Sequence, residues 1–549
     1  MIHIGNLVDL ERRRIYPAEI HVENRRITAI RELDTVPEGT GYLLPGFTDA
    51  HVHIESSMLP PAEFGRMAVV HGTVASVSDP HEIANVLGTE GVHFMLQNAT
   101  LTPFKCCFGA PSCVPATAFE TAGACLNATD VENLLSMPEI AYLSEMMNFP
   151  GVLFQDKAVM DKIAAAKKWN KPIDGHAPGL RGEQARQYFA AGISTDHECY
   201  TYEEAFEKAQ LGVKILIREG SAARNFEALW PILKDYPDQV MFCSDDKHPD
   251  DLIQGHINSL VARALEKGCD LYDTLRAACI HPVHHYQLPV GLLQKGDPAD
   301  FIRVADLVHF NVLETWIDGD CVAKEGKTLL PHQNCPLPNQ FSRHLIEITA
   351  LQILAQKAQK GQTLVQAIQV WDGEIVTGRA EVSLEVEEGL ILSDVSKDVL
   401  KIAVVNRYQA DAPVALGFVT GATLKKGALA SSVAHDSHNI VAIGVDDMSI
   451  CAAVNAIIMA KGGVSAADEH GNAQVLALPI AGLMSPEDGY LLAKKYATLD
   501  KWVKEQLQCS LRAPFMTLSF LALPVIPALK MTDKGLFDVS TFQPVPIEP

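Results

Sequence analysis

The sequence predicts an α/β protein: a (β/α)₈ barrel of the TIM type, a small β-sandwich built from both flanks of the barrel, and a C-terminal α+β domain. Three observations predict it. Between residues 43 and 284, eight short apolar runs alternate with amphipathic stretches, the pattern of parallel strands buried on both faces and the helices that cover them. The flanking segments alternate apolar and polar residues with a period of two. The chain has 549 residues, too many for one ordinary domain, and length alone suggests about three or four.

Residues 1–42 form the first part of the sandwich, because "IYPAEIHVENRRITAIREL" carries a strand pattern broken by turn residues. Residues 43–284 form the barrel. Its strand runs are "YLLPGFTDAHVHI", "TVASVSDPH", "PFKCCFGAPSC", "IAYLSEMMNF", "KPIDGHAPG", "GISTDHECY", "GVKILIREG" and "QVMFCSDD", with helical stretches such as "AVMDKIAAAKKW" and "RGEQARQYFAA" between them. Residues 285–335 return to strands around Gly-Asp and Asp-Gly turns and complete the sandwich. A Pro-rich polar stretch, "LLPHQNCPLPNQFSR", reads as a linker, and 342–549 is the C-terminal α+β region. Within it, "FMTLSFLALPVIPALKM" is too short for a membrane helix and is interrupted by Pro524 and Pro527, so it reads as buried strand and turn.

The composition, 48% hydrophobic and 20% charged, is that of a globular chain. A formal net charge of -22 repels polyanions and argues against nucleic acid as a partner. The 12 cysteines have no framework spacing and the N-terminus lacks a leader-like apolar core, so the expectation is free thiols in a reducing cytoplasm, without membrane association. A homo-oligomer, dimer or larger, is expected from the size of the barrel alone.

Active sites of such barrels lie at the C-terminal ends of the strands. The first run ends in His51 and His53, two apart and therefore on one side of an extended strand. Glu145 lies in the fourth, His176 ends the fifth, His197 the sixth with Glu198 after it, and Asp245 the eighth. Four imidazoles and two carboxylates at one rim, with no thiolate, suit manganese, iron or zinc. Six ligands exceed the needs of one tetrahedral ion, so two ions bridged by a carboxylate are expected. Each histidine alone is more simply a hydrogen-bonded polar residue; it is the set that points to metal. There is no Walker loop, no His-Glu-x-x-His, and no Pro-Cys-x-x-Cys of the base-flipping zinc deaminases.

"PGFTDAHVHIESS" and "GDPADFIRV" resemble signatures of the amidohydrolase superfamily. "SDPHEIANVLG", "SEMMNFPGV", "DGHAPGL", "IREGSAARN", "CSDDKHPDDL" and the C-terminal "VAHDSHNIVAIGVDDMSICAAVN" are similar to the bacterial-type adenine deaminases, over nearly the whole chain. The resemblance implies hydrolysis of adenine to hypoxanthine and ammonia in purine salvage, with two divalent ions, manganese or iron first and zinc second. It implies His51, His53, Glu145, His176, His197 and Asp245 as ligands, with Glu145 as the bridge where many superfamily members use a carboxylated lysine.

On this reading hydroxide formed on a metal attacks carbon 6 of the base. Asp245 takes the water proton and Glu198 protonates or hydrogen-bonds the ring. Asp79, His81 and Glu82 after the second strand either line the pocket or brace a loop. Arg218 and Glu219 at the end of the seventh either pair with each other or touch substrate. His435, Asp436 and His438 read as a lid or solvated turn, the alternatives being a second metal site and a cover over the purine. Another cyclic amide or amidine hydrolase, and an inactive purine-binding relative, are the competing functions.

Overall fold

A computed structural model describes residues 1–356 and 360–549; the three between, inside the C-terminal region, lie outside the described residues. Strands Ile2–Asp9, Arg14–Glu23, Arg26–Glu32 and Tyr42–Pro45 join Phe301–Val304, Val312–Ile317, Asp320–Lys324 and Lys327–Thr328 in one eight-stranded sheet. The flanks meet where Phe301–Val304 runs antiparallel to Tyr42–Pro45, with Ile302 opposite Leu44. Alternation supplies the buried face: Ala18, Ile20 and Val22 pack with Leu7, Ile27, Leu43 and Phe301. The Asp318-Gly319 turn has φ of 50° and 78°. Two left-handed residues in a two-residue loop match the twist of the paired strands.

The barrel strands are Phe47–Val52, Thr73–Ser78, Lys105–Ala110, Ile140–Met146, Ile173–Gly175, Thr195–Asp196, Lys214–Arg218 and Val240–Cys243. They follow one another in sequence order, and every recorded pairing between them is parallel. Fifth and sixth adjoin through Ser194 N–H to the Ile173 carbonyl, 2.9 Å. First and eighth close the circle through a parallel bridge of Val52 to Asp245, with Asp245 N–H on the His51 carbonyl at 3.0 Å. That last bond matters for the site, because it seats a first-strand and an eighth-strand ligand candidate side by side.

C-terminal to the barrel, a nine-stranded sheet carries the long helix Asp447–Ala460 on one face, seating Ile450, Val454 and Ile457 against Ala430, Ala442 and Ala467. The apolar run near the C-terminus departs from the expected strand and turn. It forms a helix, Pro514–Ser519, and a 3₁₀ turn, Phe520–Ala522, before the strand Leu529–Thr532. A run buried on every side has no polar period to separate helix from strand, and Pro514 sits at the first helical position, where its fixed φ favours a helix start. Among the described residues no helix is long and apolar enough to cross a membrane. All twelve cysteines are free.

Candidate metal centre and active site

His51 and His53 turn the same way and bring their Nε2 atoms to 3.2 Å. His53 Nδ1 lies 3.2 Å from the Asp79 carbonyl. Donation of its proton there fixes the tautomer and leaves Nε2 as a lone-pair donor facing the barrel axis. Glu145 divides its oxygens. Oε1 lies 3.4 Å from His53 Nε2, while Oε2 lies 2.6 Å from His176 Nδ1 and 3.2 Å from His197 Nε2. Asp245 Oδ1 lies 3.4 Å from His53 Nε2 and 3.7 Å from His51 Nε2. The structure thus brings all six sequence-predicted ligands together, each at least 96% buried.

The donor set fits divalent ions. Two nitrogens each about 2.1 Å from one ion stand roughly 3.0–3.4 Å apart at octahedral to tetrahedral angles, and the His51–His53 pair falls in that range. Burial, and then His197 and His53, hold His51 well below the usual imidazole range; against burial, the neighbouring carboxylates raise His53, His176 and His197 above it. Ligand atoms of His51, His53 and Asp245 lie mutually within reach of one centre, and those of His176, His197 and Glu198 within reach of another.

Arg218 ties the carboxylates behind this set. Its Nη1 donates to Glu198 Oε1 and, at 2.7 Å, to Asp245 Oδ2, and its Nη2 donates to Glu198 Oε2 at 2.9 Å. The expected pairing of Arg218 with Glu219 is not formed. Neighbours on a strand face opposite sides, so Glu219 turns outward to Arg263 at 2.9 Å and Arg224 at 3.7 Å. Glu219 therefore does not line the chamber. His81 does reach the site, 3.5 Å from Glu145 Oε1. Asp79 and Glu82 stand behind it: Asp79 Oδ2 braces His81 Nδ1 at 3.1 Å, and Glu82, one residue along the helix His81–Leu87, faces His435.

The loop at 435–438 is buried, not a solvated turn. It carries the nine-stranded domain over the barrel mouth. His435 Nδ1 meets Glu82 Oε1 at 2.9 Å, Ser56 Oγ bridges Glu82 and Asp246 at 3.2 and 2.5 Å, and Asp436 Oδ1 lies 3.5 Å from His81 Nε2. His438 turns back to accept the Ala434 N–H and does not line the chamber. A small, tightly lined chamber results, with His53, His81, Glu145, His176, His197, Glu198, Arg218, Asp245 and Asp246 on the barrel side. Met147, Phe520, Leu523 and Ile526 supply apolar walls, and His435 and Asp436 close it from the C-terminal domain. Sequence reasoning missed Asp246, Met147, Phe520, Leu523 and Ile526. The second aspartate of "CSDD" was a signal; the others come from contacts that no local pattern announces.

His435 is a charged latch between the domains. Burial lowers it, but Glu82 and Asp246 outweigh burial and raise it to about 9. A histidine raised on folding contributes stability in full below about pH 6.5 and loses it as pH climbs through the folded value. His435→Gln is therefore expected to lower the melting temperature near pH 6 and to have little effect at pH 10. Equal effects at both pH values in thermal melts would refute the charged latch.

An eight-stranded parallel barrel with buried imidazoles and carboxylates gathered at its C-terminal rim defines a metal-dependent hydrolase. Residues 42–322 match the Amidohydrolase family, and residues 374–543 match the Adenine deaminase C-terminal domain. The chain is 53% identical to an adenine deaminase of Salinibacter ruber over 98% of this chain and 97% of that one. It is 55% identical to one of Sulfurovum sp. and 50% identical to one of Methanosarcina mazei, each over 98% of both chains. The chain belongs to the adenine deaminase family.

Proposed function

We propose that this chain hydrolyses adenine to hypoxanthine and ammonia at the mouth of its barrel. One observation carries the reading: six ligand-type side chains from five different strands meet under a small chamber with apolar walls, in a chain about half identical to proteins named adenine deaminase. His51, His53, Glu145, His176, His197 and Asp245 would hold two divalent ions, manganese or iron first, which supply acidified water and a positive field at the reacting carbon. A native manganese or iron, a cytoplasmic setting and a dimeric or larger assembly belong to the same proposal.

The chain's own groups divide the remaining work. Arg218 holds Asp245 by Oδ2, so Oδ1, beside His51 and His53, is the atom that takes a proton from the attacking water. The product ring gains a proton on the nitrogen beside the new carbonyl, and ammonia carries one hydrogen more than the amino group it leaves as. Both protons come from the water. Asp245 and Glu198, joined through Arg218 and both on the chamber wall, are the two carboxylates placed to relay them. Phe520, Leu523, Ile526 and Met147 offer apolar contact to a flat heterocycle and exclude bulk water.

The protein loaded with manganese is expected to consume adenine and release ammonia in equal amounts. Removing the metal with a chelator should abolish turnover, and adding manganese back should restore it. Hydrolysis of a hydantoin with adenine untouched would replace this assignment by that of a cyclic amide hydrolase.

A further inference from the structure

The loop from the C-terminal domain places one charged group where neither metal nor relay uses it. Asp436 is 2% exposed, and its Oδ2 is buried without a hydrogen-bond partner. Its Oδ1 lies 3.5 Å from His81 Nε2, while His81 Nδ1 lies 3.5 Å from Glu145 Oε1. Asp436 therefore stands one imidazole's width from the ligand set, on the same chamber.

The loop is held from several sides. His435 N–H donates to the Ser519 carbonyl at 3.1 Å, and the His435 ring stacks on Phe520 with centroids 4.6 Å apart. Tyr408 Oη donates to the Ser437 carbonyl at 2.6 Å, and Asn439 Nδ2 donates to the Thr121 carbonyl at 2.8 Å. A buried carboxylate oxygen left unpaired is costly. Holding one rigidly in a binding chamber points to a ligand donor that completes it.

We propose that Asp436 accepts the ring N–H of the five-membered half of the purine, and so makes the site select free base over purines substituted at that ring. This rests on the adenine reading above. A carboxylate only accepts hydrogen bonds. Adenine offers two kinds of N–H: the amino group, which sits on the reacting carbon at the ligand end, and a single ring N–H on the far half of the molecule. With carbon 6 at Glu145 and Asp245, the far half faces Asp436. A nucleoside or a 9-alkyl purine has no such N–H. It would bury the carboxylate against carbon, the situation in which polar sites reject analogues most strongly.

The test compares adenine with 9-methyladenine in the manganese-loaded wild type, Asp436→Asn and Asp436→Ala, with metal content and melting temperature measured alongside. The wild type should prefer adenine by at least ~10³-fold in kcat/KM. Asp436→Asn should cost adenine ~10–10²-fold, mainly in KM, as expected for loss of a charge-assisted hydrogen bond, and should leave 9-methyladenine within about threefold. Equal losses on both substrates, or an unchanged KM for adenine, would overturn the assignment while leaving the deaminase reading intact. No turnover of adenine by the wild type would overturn both. If neither variant folds, the wild-type preference decides alone, and one below about tenfold counts against Asp436.

Discussion

Asp245→Asn lowers kcat by ~10²–10⁴-fold, the usual worth of a positioned general base, while the protein keeps its fold and most of its metal. The argument is geometric. Asp245 is set by two independent restraints: the barrel-closing bridge to Val52, which includes its N–H on the His51 carbonyl at 3.0 Å, and Arg218 on Oδ2 at 2.7 Å. Asparagine is nearly isosteric and can keep Oδ1 facing His51 and His53. It cannot accept a proton at neutral pH. Its amide nitrogen would also face the Arg218 guanidinium, two donors opposed, so a small loss of stability accompanies the catalytic loss. Steady-state kinetics with metal analysis decide the matter. Turnover near wild type with two metals bound would remove Asp245 from proton transfer, and a parallel loss of metal and activity would restrict it to ligation.

Much of this geometry is legible in the chain because its determinants are local. Eight apolar runs with helical stretches between them leave few arrangements other than a closed parallel barrel, and the ends of the runs then locate a rim. His51 and His53 are readable because a spacing of two puts side chains on one side of a strand. Glu219 shows the same rule misapplied: it follows Arg218 directly, so both cannot face the axis, and the structure turns it out to Arg263. The cover of the site is a different matter. Phe520 and Asp436 reach the barrel mouth from sequence positions hundreds of residues away from His53. The apolar run that contains Phe520 reads as core because every one of its faces is buried. His435 and Asp436 look solvated as a string of polar letters, and become site residues only because Glu82, Asp246 and His81 wait for them across the domain boundary. Polar residues buried by long-range contacts leave no period for a sequence to display.

Arg218→Met costs ~3–5 kcal/mol of stability, the penalty for removing one partner of a buried ion pair and leaving the other charge unpaired. Arg218 is 4% exposed and Glu198 2% exposed, and the guanidinium meets both Glu198 oxygens as well as Asp245. Methionine fills much of the volume, so the loss is electrostatic and not a cavity effect. Three outcomes separate this account from simple packing damage. The double variant Arg218→Met with Glu198→Gln should recover part of the loss in urea unfolding, because it removes one of the two carboxylates left without Arg218; packing damage would persist. The deficit of the single variant should shrink as pH falls from neutrality through the ordinary carboxylate range, since burial pushes an unpaired acid up and it protonates early. Activity should fall in both variants, because Arg218 holds the Asp245 and Glu198 carboxylates in place for proton transfer. A single variant within about 1 kcal/mol of wild type, the scale of exposed ion pairs, would show that solvent or a bound cation already neutralises Glu198, and that Arg218 serves the chemistry without holding the fold.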